Sequence, residues 1–139
     1  MDYLIDTDIC GFYLRGKFSI NEKLKEVVPK NCYVSEITIL ELLYGAQNSD
    51  NYSKHIKDID AIKSLLGVVP IASAYDAFAE QKVRLKRSGM LIPDFDLLIG
   101  STAVENNMVM VTNNERHLSR ITGVKIENWT KPVFNKYLR

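Results

Sequence analysis

Cysteine is scarce in this sequence. Cys10 and Cys32 are the only two among 139 residues, and both sit in apolar surroundings. That excludes a disulfide-stapled scaffold and a thiolate zinc cluster, and it suits two buried thiols in a reducing compartment, the cytoplasm. Histidine is as rare: neither His55 nor His117 has a partner at metal-ligand spacing, so both read as surface residues. Four prolines and seven glycines form no linker-like cluster, and no internal repeat or low-complexity tract interrupts the chain. No apolar run approaches a membrane span, and no basic stretch followed by an apolar core marks a signal peptide. An excess of either charge is missing too. Eighteen basic residues nearly cancel 17 acidic ones, leaving +1. This argues against a non-specific basic coat for nucleic acid while leaving room for a local basic patch. Phosphate-binding glycine loops and the G-x-S-x-G turn of hydrolases are also absent.

What is present is an alternation of short apolar runs with helical patterns. YLI (3–5), CYVS (32–35), VVPI (68–71), MVMVT (108–112) and VKIENW (124–129) read as strands. Helices are expected from Thr7 to about Tyr13 and from Ser19, as N-cap, to Val28 before Pro29. Another follows over EITILELLYGAQ, capped by Ser35. Residues 51–66 carry Ile56, Ile59, Ile62 and Leu66 on one stripe ending at Gly67. Residues 74–88, closed by Gly89, and PDFDLLIGSTAVENN, opened by Asp94 as a natural N-cap, complete the set. Strands alternating with helices imply an α/β fold, with a central parallel sheet of four to five strands covered on both faces in one domain over 1–139. Ligand chemistry in such sheets sits at the carboxyl ends of strands, where Asp6 falls.

Several acids stand in apolar sequence. The first strand runs straight into Asp6 and Asp8. Glu41 lies in ITILELLYGA, a helix apolar nearly all round and therefore expected to be buried, where an ionised glutamate is costly unless paired or bound to a cation. Asp96 follows Phe95 near a helix start, where a first-turn acid also complements the helix dipole. Gly45 and Gly100 stand four residues beyond Glu41 and Asp96, and would leave each carboxylate uncovered or else serve close packing. Carboxylates gathered by a fold repel one another until a proton or cation relieves them. Oxygen-only ligands point to Mg²⁺ or Mn²⁺, which suit phosphoryl chemistry.

With these residues in place, the chain resembles a PIN domain, and within it a VapC-type toxin ribonuclease. YLIDTDIC resembles the opening block with its acid at Asp6. VSEITILELLYG resembles the second with Glu41, and IPDFDLLIGSTAVENNMVMVTNNERHLSRI the third with Asp96 and Thr112. The tail VKIENW resembles the branch that cleaves initiator tRNA. The resemblance implies a three-layer α/β/α fold and a Mg²⁺- or Mn²⁺-dependent endoribonuclease acting on RNA, with tRNA as the expected substrate. It also implies a VapB-type antitoxin partner and a homodimer. Asp6, Glu41 and Asp96 would be the catalytic metal ligands, with Asp8, Asp94, Thr7, Thr112 and Asn114 secondary. Asn114 departs from the pattern, since many PIN domains have a fourth acid there. Arg15, Lys17, Arg84, Lys86, Arg87, Arg116 and Arg120 are the basic residues available to the RNA backbone. Two other readings stay open. One is a catalytically weak PIN-like interaction module. The other is a phosphatase of the haloacid-dehalogenase type, which also opens on Asp-x-Asp but needs later elements for which the stretch after Thr112 is expected to be too short.

Overall fold

The computed structural model describes residues 1–132. In chain order the elements are β1 (Tyr3–Ile5), α1 (Thr7–Leu14), α2 (Ile20–Val27), β2 (Cys32–Ser35), α3 (Glu36–Gln47), α4 (Tyr52–Leu65), β3 (Gly67–Val69), α5 (Tyr75–Arg87), α6 (Asp94–Glu105), β4 (Val109–Val111), α7 (Glu115–Leu118) and β5 (Lys125–Glu127). The five strands form one parallel sheet in the order β3-β2-β1-β4-β5. In register, Leu4 lies opposite Tyr33, and Ile5 opposite Val111.

Neighbouring strand residues point to opposite faces, so each face of the sheet builds its own core. Leu4 and Met110 join Leu85, Leu97, Ile99 and Leu118 on one side. Ile5, Val109 and Val111 join Ile9, Ile20, Leu24 and Ile62 on the other. This is the three-layer α/β/α arrangement. Among the described residues, no helix is long and apolar enough to cross a membrane.

Some local expectations need correction. The third strand stops at Val69, because Pro70 has no N–H for the ladder and the chain turns into a 3-10 segment at Ile71–Ala74. The short α7 has too few residues to show a period. Ser19 starts α2 in the left-handed region and makes no side-chain cap bond, whereas Ser35 does cap α3, accepting from the Ile37 N–H at 3.0 Å. Asp94 is the first residue of α6 and not its cap, which is Pro93. Helix α3 is not buried all round: Leu40, Leu43 and Tyr44 are exposed, Tyr44 by 73%. The reason is position. α3 packs Ile37 into one core and Ile39 and Leu42 against the other, and among the described residues its outer stripe stays exposed.

β1 is central. The chain leaves it toward β2 on one side and later fills the other side with β4, so the strand order reverses between β1 and β4. A crevice opens at the carboxyl ends of strands at such a point. The Asp6 N–H donates to the Val111 carbonyl at 2.9 Å and the Thr112 N–H to the Glu127 carbonyl at 3.0 Å, which pins both residues at the strand ends.

Candidate active site

Asp6 caps α1 and is 6% exposed. One carboxylate oxygen accepts from the Thr7 N–H at 2.8 Å and the other from the Thr112 hydroxyl at 2.7 Å. The Thr112 oxygen in turn accepts from the Asn114 N–H at 2.9 Å. Asp8, in the first turn of α1, accepts from the Ile9 N–H at 2.7 Å and from the Asn113 N–H at 3.1 Å. Thr7 donates to Glu41 Oε1 at 2.6 Å, and its oxygen lies 3.0 Å from the Thr38 hydroxyl. Asp96 Oδ2 accepts from Asn114 Nδ2 at 3.2 Å and lies 3.0 Å from His117 Nδ1. Asn114 Nδ2 lies 3.1 Å from the same His117 Nδ1, so Asp96, Asn114 and His117 form one polar triangle in which the ring nitrogen donates or accepts according to its tautomer.

Asp6, Thr7, Asp8, Glu41, Asp96 and Asn114 line one cavity of about 300 Å³. They come from α1, α3, α6 and the segment after β4. Burial pushes the Asp6 carboxyl up to about 7, helped by the charge of Asp8 and, less, of Asp96, against the opposing bonds from Thr112 and Thr7. Asp8 is raised as well, by burial first. Both acids resist ionisation in the chain by itself, and a bound cation relieves that resistance.

The donor set of hard oxygens fits Mg²⁺ or Mn²⁺. As the side chains stand, however, no three carboxylate or imidazole groups among the described residues close around one point. Each is drawn to a neighbouring donor: Glu41 to Thr7, and Asp96 to Asn114 and His117.

Other residues lie elsewhere. Asp94 faces away, paired with Lys82 at 3.0 Å. Arg84 donates to the Arg120 carbonyl at 2.6 Å, and Arg120 to the carbonyls of Met90 and Leu91 at 3.3 and 3.2 Å. These two arginines tie the loop after α5 to the turn after α7, work that competes with holding RNA. Arg87 and Lys86 are exposed on α5, Lys17 follows α1, and Arg116 is exposed on α7. Both histidines differ from the surface reading: His117 meets Asp96, and His55 is half-buried in a cavity that adjoins Glu41. The one sequence signal for His117 was its place three residues after Asn114, one helical turn along.

The glycines divide. A Cβ on Gly100 would collide with the side chains of Ile121 and Leu118, so this glycine serves close packing. A Cβ on Gly45 would meet nothing within 4 Å.

A sequence profile described as "PIN domain" matches residues 3–124. A protein of Shigella flexneri named "tRNA(fMet)-specific endonuclease VapC" is 30% identical over 132 residues, covering 94% of this chain and 99% of its own. The crystal structure of VapBC2 from Rickettsia felis, bound to a DNA fragment from their promoter, contains a chain that superposes with a TM-score of 0.84 at 31% identity. It covers 93% of this chain and 99% of that one. A chain in the DNA-bound VapBC structure from Salmonella typhimurium gives a TM-score of 0.87 at 28% identity, covering 93% and 98%. By profile, sequence and fold together, this chain belongs to the PIN domain family.

Proposed function

We propose that the chain is a divalent-metal-dependent endoribonuclease of the VapC type that hydrolyses a phosphodiester in tRNA, with initiator tRNA the first substrate to try. The observation that carries this reading is the cavity at the β1–β4 switch point. Chain-distant acids line it, and Asp6 there is costly to ionise without a counter-charge. The names of the VapC relatives support the ribonuclease class and the tRNA.

In this reading Asp6, Asp96 and Glu41 hold the ion, with Asp8 adding charge. When bound, Mg²⁺ or Mn²⁺ supplies Lewis-acid charge that lowers the pKa of a water and offsets phosphate charge. Thr112 holds Asp6 by its hydroxyl, and Thr7 holds Glu41, so the two carboxylates keep defined orientations. Asn114 donates its amide to Asp96, and in this reading the same amide would serve as a donor to a phosphate oxygen. Asn114 is neutral and so adds no charge where many of the family carry an acid.

The reading includes a VapB-type antitoxin and a second toxin copy. The VapBC complexes among the relatives support the first. The exposed apolar stripe Leu40, Leu43 and Tyr44, with Val68 on the edge strand, supports a protein partner of some kind. The test is cleavage of total tRNA by the purified chain in Mg²⁺, Mn²⁺ or chelator, with cut ends mapped, beside Asp6→Asn and Asp96→Asn. Metal-dependent cuts lost in both variants are expected. Cleavage that survives chelation or Asp6→Asn refutes the proposal.

A further inference from the structure

A second cavity, of about 250 Å³, lies between α1, α3 and α4 and shares a wall with the acidic one: Glu41 lines both. Two glycines open it. Gly45 contributes space that a side chain would occupy, since a Cβ there meets nothing within 4 Å. Over Gly11 lies the Arg15 guanidinium, whose Nη1 would be 3.3 Å from a Cβ at that position. The same guanidinium, which lines the cavity, sits 5.3 Å from the centre of the Phe12 ring, a cation–π contact. Among the described residues Arg15 forms no ion pair. The walls are apolar at Leu42 and Ile59 and polar at half-buried His55 and at Lys54 and Asp58, which pair with each other at 3.0 Å and leave Arg15 as the lining cation without a carboxylate partner among the described residues.

The size is informative. Sites that enclose whole small molecules run from about 300 to 1,000 Å³. This cavity is smaller and suits one flat ring system. Its chemistry is that of a slot for a nucleobase: apolar sides, an imidazole to meet a ring edge, and a lining cation without a carboxylate partner among the described residues. Unpaired RNA bases are held in this way, splayed from their neighbours and stacked on aromatic rings or arginine planes. A peptide side chain would use the apolar walls but has no need of an unpaired cation beside them, whereas every nucleotide brings a phosphate.

We propose that this cavity is a nucleobase subsite, taking one unstacked base of a nucleotide adjoining the cut phosphodiester while Arg15 holds that nucleotide's phosphate. This rests on the ribonuclease reading of the acidic cavity and adds how its substrate is gripped. With the base seated behind Glu41, the neighbouring phosphodiester is delivered to the acids, and paired RNA is refused because its bases stay stacked.

The experiment reads binding, not cutting. Amide NMR signals of Gly11, Gly45 and His55 are followed while AMP, GMP, CMP, UMP or ribose 5-phosphate is added at millimolar concentration to the full chain. At least one nucleotide is expected to move all three signals, and ribose 5-phosphate is not. Gly45→Leu fills the cavity without a backbone clash and favours the helix. It should weaken that nucleotide by at least about tenfold. Mn²⁺ broadening of the Asp6 and Asp96 signals should persist in this variant. The subsite is overturned if no nucleotide exceeds ribose 5-phosphate, if Gly45→Leu binds as wild type does, or if the three signals answer only to an antitoxin peptide. A chain that binds the base yet cuts no RNA refutes the ribonuclease reading instead. A chain that cuts RNA while its cavity ignores nucleotides refutes the subsite alone.

Discussion

Replacing Asp6 by asparagine should stabilise the metal-free chain at neutral and basic pH, and the gain should follow a defined pH course. The Asp6 carboxyl is pushed from 3.8 up to about 7, chiefly by burial and then by the charge of Asp8. Below about pH 4 the proton is bound in both the native and the unfolded chain, and Asp6 contributes no pH dependence. Between about pH 4 and pH 7 the native chain keeps the proton that the unfolded chain has released. The native state then binds more protons, so stability falls as pH rises and levels off above the native pKa. At about 1.4 kcal/mol per pH interval, the full loss is about 4 kcal/mol, of which about 2–3 falls between pH 5 and pH 8. Asparagine keeps the shape and removes the charge. It weakens the bonds from Thr7 and Thr112, which offsets about 1 kcal/mol. The variant should therefore gain on wild type by about 2–3 kcal/mol on going from pH 5 to pH 8, a sizeable part of a domain's total stability of about 5–15 kcal/mol. Urea unfolding in chelator across this range measures it. Taking the difference between the two proteins cancels the slope due to other carboxyls. Millimolar Mg²⁺ or Mn²⁺ should shrink the difference at high pH, because a cation favours the ionised wild-type site. A difference that stays constant from pH 5 to pH 8 would refute the reasoning and remove the electrostatic case for a cation site at Asp6.

Two more outcomes are expected. Gly100→Ala should destabilise the chain by about 1–3 kcal/mol in calorimetry, because its Cβ drives into Ile121 and Leu118; an unchanged melting temperature would mean that α6 and α7 are more loosely packed than described. His117→Ala should weaken Mn²⁺ binding by at least about tenfold in an EPR titration, since an imidazole that orients a ligating carboxylate typically contributes about that much. Equal affinity would show that the ring does not orient Asp96.

Much of the fold is visible in the sequence because the signals are local. The run YLI ends at Asp6 and becomes β1, and Ser35 caps α3 as its residue type predicts. What is not local is not visible. The reversal of strand order at β1 depends on pairing between Ile5 and Val111, far apart in the chain. The same limit governs the site. Asp6 and Asp8 stand out as charges at the end of an apolar strand, and they do line the acidic cavity. Glu41 stands out for a different reason, an apolar helix taken as wholly buried, yet that helix exposes Leu40 and Tyr44. The apolar stripe is read correctly as composition and wrongly as burial, because composition cannot tell a core-facing surface from one kept for a partner. His117 and His55 invert the case. Each looks like an ordinary surface residue, and each gains its meaning from residues on other elements: Asp96 for one, the cavity wall with Glu41 for the other. The acids are therefore conspicuous because charge in apolar sequence is costly wherever the chain folds. The residues that orient the acids, or that grip a substrate beside them, carry no such cost in the unfolded chain and become recognisable only once tertiary contacts form.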